Sequence, residues 1–142
     1  MPRVRRVRRP APLWLPTMTL ITGGTATERK SMADVLAARY GRPLYRVDLA
    51  AVVNKYVGET EKNLARVMER AESAGAVLLI DEADALFGKR TNVKHASDRF
   101  ANAETAYLLQ QIESYPGLVI LTANLSQPPR TATRRRFRLL RV

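Results

Sequence analysis

The stretch Ala76-Val77-Leu78-Leu79-Ile80-Asp81-Glu82 decides the fold of this chain. Its uninterrupted apolar run fits a strand buried on both faces, the pattern of parallel sheets sandwiched between helices. Two carboxylates follow at once. The strand therefore carries charge to the rim of the sheet, where open α/β sheets bind their ligands.

Strand and helix signals alternate on either side of this stretch. Thr17 to Thr22 is a short apolar and β-branched run that ends at Gly23-Gly24, a strand followed by a turn. Lys30 to Tyr40 spaces Met32, Val35, Leu36 and Arg39 as one helical face, and Gly41 supplies a stop. Leu44 to Leu49 reads as a second strand, and Thr60 to Ala74 carries Leu64, Val67, Met68 and Ala71 at helical spacing. Ser97 to Tyr115 reads as a long helix with Phe100, Ala103, Tyr107, Leu108 and Ile112 on one side. Leu118 to Thr122 is a further strand, and Arg138 to Val142 is a candidate for the last. Strands separated by helices predict right-handed crossovers and an α/β fold with a parallel sheet of about five strands. Its carboxyl rim then falls at Gly23, Asp48, Asp81 and Asn124.

Adjacent carboxylates at such a rim suit two tasks. Mg2+ prefers oxygen ligands and keeps several waters, so Asp81 can hold the hydrated ion against phosphates. Glu82 can polarise a water that attacks a γ-phosphate. A solvated strand end is the plainer reading of the pair.

Composition narrows the choices. The chain has 142 residues, enough for one domain with a core, and its 46% hydrophobic content is ordinary. It has no cysteine, which excludes disulfides and thiolate metal sites and suits a cytoplasmic location. No apolar run approaches the roughly 18–20 residues of a membrane span. The net charge of +11 resembles that of a nucleic-acid binder, but it is unevenly spread. Arg3, Arg5, Arg6, Arg8 and Arg9 crowd one end, and Arg130, Arg134, Arg135, Arg136, Arg138 and Arg141 crowd the other. Setting these aside leaves equal numbers of basic and acidic residues, so the body is neutral. The distribution speaks against nucleic acid as the main partner, with phosphate binding through the arginine-rich ends as an alternative. Residues 1–16 read as a flexible basic arm, too proline-broken for a signal-peptide core. His95, the one histidine, sits in a polar segment without ligand partners.

Taken together, several segments resemble one family. Asp81-Glu82-Ala83-Asp84-Ala85-Leu86-Phe87-Gly88-Lys89-Arg90 looks like the Walker B region of bacterial AAA ATPases. Asp48-Leu49 and Lys55-Tyr56-Val57-Gly58-Glu59-Thr60-Glu61-Lys62-Asn63-Leu64 resemble that family's second strand and pore-loop region. Ser97 to Glu104 and Leu118 to Leu125 resemble its next helix and its sensor-1 strand. The resemblance covers residues from about 18 to 139. It implies a three-layer P-loop NTPase fold of AAA type, with 17–142 as the large α/β subdomain. ATP and Mg2+ would be the cofactors and a protein the substrate. The assembly would be a homo-oligomeric ring, a hexamer by resemblance, provided the family's helical lid is supplied or dispensable. By the same resemblance, the helical lid is expected to be absent, since the sequence stops about where it would begin.

The resemblance also assigns roles. Asp81 would hold Mg2+, Glu82 would act as base, and Asn124 would place the attacking water as sensor 1. Arg135, Arg136 and Arg138 fall where arginine fingers reach a neighbour's phosphate, a contribution worth roughly 10³–10⁵ in rate in comparable systems. Pro128 to Thr133 departs from the family's usual approach to them, and an ordinary basic tail is the alternative. Lys55, Tyr56, Val57 and Gly58 would grip an extended substrate in the ring's pore. A packing role is the alternative for Tyr56.

The phosphate loop is where the sequence departs most. A working loop reads G-x-x-x-x-G-K-[ST], with glycines that let backbone N–H groups wrap phosphate, a lysine, and a hydroxyl for Mg2+. Here Gly23, Gly24, Thr25, Ala26, Thr27, Glu28, Arg29, Lys30 and Ser31 stand in that place. Starting the pattern at Gly23 puts Glu28 at the second glycine, Arg29 at the lysine and Lys30 at the metal hydroxyl. Starting at Gly24 recovers Lys30-Ser31 but puts Arg29 at the second glycine. In both registers a long side chain replaces hydrogen where backbone must approach phosphate. The expected activity is an ATPase coupled to protein remodelling but impaired. A catalytically inactive ring partner, or a truncated remnant, is the alternative.

Overall fold

The computed structural model describes residues 18–55, 60–87, 96–127, 129 and 134–142, with backbone alone for 53–55 and 96–104. The basic arm at 1–16, the expected pore residues Tyr56, Val57 and Gly58, His95 and Arg130 lie outside the described residues.

The elements follow the expected alternation. They are β1 (Met18–Thr22), α1 (Ala26–Tyr40), β2 (Leu44–Asp48), α2 (Leu49–Lys55), α3 (Thr60–Ser73) and β3 (Val77–Asp81). A 3-10 turn over Ala83–Phe87 leads to α4 (Ala96–Glu113), β4 (Val119–Thr122) and β5 (Phe137–Arg141). The strands pair in parallel as one five-stranded sheet in the order β2-β3-β4-β1-β5. β3 and β4 are therefore interior strands, and their apolar residues are fully buried on both faces.

Alternation along the strands divides the core. Met18, Leu20, Val47, Leu78, Ile80, Val119, Leu121 and Phe137 face one side, under Leu64, Met68 and Ala71 of α3 and Leu108, Leu109 and Ile112 of α4. Ile21, Val77, Leu79 and Ile120 face the other side, under Ala33 and Ala37 of α1. The expected α3 face is correct. That of α1 is rotated: its buried residues are Arg29, Ala33 and Ala37, with Met32 and Leu36 packed at the margin. Val35 is 47% exposed and Arg39 is exposed. Small side chains four residues apart let α1 approach the sheet closely, and bulk was the wrong guide. Tyr107 likewise turns outward, 50% exposed, while its neighbour Leu108 is buried.

Two elements went unanticipated. Leu49 does not end a strand but starts α2, because Asp48 Oδ1 accepts the Ala51 N–H at 3.3 Å as a helix cap. The other is the 3-10 turn after β3. A buried hydrogen bond then closes the far end of the sheet, where the Tyr115 hydroxyl donates to the Ala76 carbonyl at 2.6 Å. Tyr115→Phe leaves that carbonyl without this donor, so we expect a loss of about 1–2 kcal/mol in urea unfolding with little change in far-UV circular dichroism.

Candidate functional site

The rim residues come together as the strand register requires. Asp48 pairs with Asp81 across β2 and β3, and Ile21 pairs with Thr122 across β1 and β4. The ends of β1, β3 and β4 thus lie side by side, with the start of α1 just beyond β1.

The turn into α1 is short. β1 ends at Thr22, Gly23 and Gly24 make the turn, and Thr25 caps a helix that begins at Ala26. Both glycines have positive φ, 80° and 55°. A Cβ on Gly23 would stand 2.7 Å from the Val142 carbonyl oxygen, and one on Gly24 would stand 3.2 Å from the Glu28 carboxyl. The helix expected from Lys30 starts earlier, so residues 26–29, expected as part of the loop, are instead the first turn of α1. The turn's polar groups satisfy one another. The Thr25 hydroxyl accepts the Glu28 N–H at 3.1 Å, and the Glu28 carboxylate accepts the Thr25 N–H at 3.0 Å, a complete capping box. Arg29 folds inward, only 8% exposed, and donates from Nη1 to the Gly23 and Gly24 carbonyls at 2.8 and 2.9 Å. The carboxylate of Glu28 takes the position at the helix start where an anion would be favoured. Lys30 and Ser31 lie on α1 with exposed side chains.

Asp81 is the most densely bonded side chain on the rim. Its Oδ2 accepts Nε and Nη2 of Arg46 at 2.8 and 2.6 Å. Its Oδ1 accepts the Thr122 hydroxyl and the Glu82 N–H. A carboxylate offers about four lone-pair directions, and here each has a donor. Burial alone pushes its carboxyl up. The hydrogen bonds from Thr122 and Arg46 and the guanidinium charge outweigh that and hold it below the ordinary value of 3.8. Neither Arg46 nor Thr122 stood out in the sequence. The one available signal was an arginine inside the short apolar strand Leu44-Tyr45-Arg46-Val47-Asp48.

Glu82 is the only non-glycine residue with positive φ among the described residues, at 58°. A side chain in this sparsely populated region is held by its surroundings, and such outliers gather at functional sites. Its exposed carboxylate projects from the rim between the bound Asp81 and the 3-10 turn. Asn124 is exposed two residues beyond β4, and its backbone N–H donates to Asp84 Oδ2 at 3.2 Å. Asp84 therefore fixes the β4 exit against the β3 exit, a role the sequence reading had not given it. Arg135, Arg136 and Arg138 are exposed, and Arg136 pairs with Glu113 at 3.5 Å across the end of α4. Lys55 ends α2, and the pore residues after it lie outside the described residues.

The donor set offers Mg2+ few open oxygens. Both Asp81 oxygens are committed, Lys30 has no lone pair to give when charged, and no group of three or more potential metal-ligating His, Cys, Asp or Glu residues occurs among the described residues. In this arrangement the residues do not fit a bound divalent ion. No helix among the described residues is long and apolar enough to cross a membrane.

Comparison with known proteins adds to this geometry. Residues 19–142 match the model of the family described as ATPase family associated with various cellular activities (AAA). An uncharacterised AAA family ATPase of Sinorhizobium fredii is 30% identical over 83% of this chain and 36% of its own length. The katanin p60 ATPase-containing subunit A1 of Strongylocentrotus purpuratus is 30% identical over 75% of this chain and 22% of its own. A proteasome-activating nucleotidase of Aeropyrum pernix is 28% identical over 72% of this chain and 25% of its own. The chain thus spans well under half the length of these relatives.

The Asp81 network makes a pH prediction. A carboxyl held below its unfolded-state value contributes stability that is fully present above that value and is lost as the pH falls through the lower folded-state value. Urea midpoints of the unmodified chain should therefore fall below about pH 4. In Asp81→Asn the acid-side slope should be shallower, with the midpoint already reduced at neutral pH.

Proposed function

Because the chain belongs to the AAA family of ATPases, we propose that it is the nucleotide-handling α/β core of an ATPase that remodels proteins, with its own turnover impaired. The observation that carries the impairment is the closed turn between β1 and α1, where Glu28 and Arg29 satisfy the groups that would meet phosphate. An anion arriving there meets a carboxylate and two carbonyls already turned toward a resident guanidinium. Binding requires the Thr25–Glu28 box to open and Arg29 to turn outward.

The remaining roles are assigned by place: Glu82 and Asn124 at the rim, and Arg135, Arg136 and Arg138 at the opposite end of the sheet, where β5 starts beside Met18. Glu82, held in its unusual backbone conformation, is suited to accept a proton from an attacking water once a triphosphate lies over the turn. Asn124, positioned through Asp84, would orient that water. Gly23, Gly24, Thr25, Ala26 and Thr27 would lie nearest the phosphates, with Arg29 or Lys30 supplying charge. Arg135 and Arg138 are free to meet a neighbouring copy in a ring, whereas Arg136 must first leave Glu113. Lys55 and Tyr56-Val57-Gly58 keep their proposed role as a substrate-gripping loop in a hexameric, cytoplasmic assembly. Support for a protein partner comes from a relative named a proteasome-activating nucleotidase, a name that ties that protein to the proteasome.

A second reading, an inactive ring partner, is favoured by one observation. Asp81 is already neutralised by Arg46, so the acid side of the site is occupied as well as the phosphate side.

The two readings separate in one experiment. ATP binding by calorimetry and phosphate release are measured on the chain and on Glu28→Gly/Arg29→Lys. The impaired-ATPase reading expects weak binding and slow turnover, and at least a roughly tenfold gain in affinity in the double variant. Turnover by the unmodified chain at an ordinary enzymatic rate of about 1 per second or more would overturn it. A double variant that binds ATP but stays inactive selects the inactive partner.

A further inference from the structure

We propose that Arg141, at the end of β5, is the cation that meets phosphate at the turn between β1 and α1, in place of the lysine that the loop has lost. This rests on reading that turn as the nucleotide side of the site proposed above. Arg141 is then a binding residue of the site, set apart from the other arginines near it in sequence by its place on the rim.

β5 delivers this side chain to the turn. It pairs in parallel with β1 from Met18 opposite Phe137 to Thr22 opposite Arg141, so Arg141 ends level with the last residue before the two glycines. The Val142 N–H donates to the Thr22 carbonyl at 2.9 Å and carries that register one residue further. Gly23 matters here for what it lacks. A Cβ on it would stand 3.0 Å from Cγ of Arg141 and 2.7 Å from the Val142 carbonyl oxygen. The glycine thus lets the stem of Arg141 lie against the turn, and the side chain is exposed to solvent there. Ligands of open parallel sheets bind beyond the carboxyl ends of the strands, where Arg141 stands.

The cations of this region differ in what they have left to give. Arg29 is buried, and its Nη1 is spent on the Gly23 and Gly24 carbonyls. Lys30 follows it on α1, past the Glu28 carboxylate that closes the helix start. Arg138 shares the strand but pairs with Thr19, below the rim. Arg141 takes part in no ion pair among the described residues. Its guanidinium offers five N–H donors in a plane, a geometry suited to phosphate oxygens. A Cβ on Gly24 would stand 3.2 Å from the Glu28 carboxyl and 3.1 Å from Val142 Cγ2, so that carboxyl and the end of β5 crowd the same glycine. A positive charge at this place offsets the carboxylate that repels an incoming anion.

The test reads binding rather than turnover. Thermal unfolding of the full chain is followed with millimolar sodium tripolyphosphate and, in parallel, ATP. The buffer is metal-free and held at about 0.15 M ionic strength, where exposed charges more than about 8 Å apart are largely screened. Polyanion held by a basic segment alone binds the unfolded chain as well, and so adds little to the midpoint. The unmodified chain should gain about 3 °C with either ligand, and Arg141→Gln less than about 1 °C. Arg141→Lys should keep most of the gain. Arg70→Gln removes an exposed charge on α3, across the sheet from α1, and should match the unmodified chain. Equal gains in the unmodified chain and Arg141→Gln would overturn the proposal, as would no gain in the unmodified chain with either ligand. So would a loss in Arg70→Gln or Arg141→Lys as large as that in Arg141→Gln. Binding that depends on Arg141 without phosphate release defeats the ATPase reading and leaves this proposal standing, whereas turnover with equal gains does the reverse. Arg141 is exposed on an edge strand, so its replacement leaves the core untouched.

Discussion

Parallel pairing of β3 between β2 and β4 is the constraint on which the rest of the molecule depends. A strand buried on both faces has no free edge and no exposed side, so its register is set by two neighbours at once. In that register Asp81 ends level with Asp48 on one side and next to Thr122 on the other. The contacts of Asp81 with Arg46 and Thr122 follow from this. One slipped residue would turn Asp81 to the face packed by α3 and α4 and break its links to Arg46 and Thr122 together.

The two halves of the rim have reached the same condition by different means. At the β1 exit, Glu28 and Arg29 satisfy a tight turn from within the helix that follows it. At the β3 exit, Arg46 and Thr122 satisfy a carboxylate from the neighbouring strands. One half lacks an open anion cradle, and the other lacks an open cation ligand. Glu82 stands apart, with a positive φ and an exposed side chain.

The sheet was legible because its strands are apolar runs, and such runs have little choice but the interior. Ala76 to Ile80 and Leu118 to Thr122 fixed the interior strands, and Gly41 fixed the end of α1 through its N–H bonds to Ala37 and Ala38. The face of α1 was misread because Val35 looks more like core than Ala33. Packing distance, which favours alanine near a sheet, leaves no trace in a hydrophobicity pattern. The collapse of the phosphate loop was partly legible: Glu28 and Arg29 were plainly misplaced for a loop, but their pairing with Thr25 and the glycine carbonyls needed coordinates. Arg46 gave only a faint signal, a charge inside an otherwise apolar strand. It lies 35 residues from Asp81, and only the β2–β3 register makes them neighbours.

The capping box at Thr25 and Glu28 has a consequence for how this protein would report a ligand. Ligand-induced stabilisation reflects the difference between what binding adds and what the unbound state already had. Here the free chain holds a helix cap worth about 1 kcal/mol, which an incoming phosphate must break. A thermal-shift assay would thus record less than the true contact energy. A variant without the box would look less stable when free and more responsive when bound, so unliganded stability and ligand response would move in opposite directions across substitutions at residue 28.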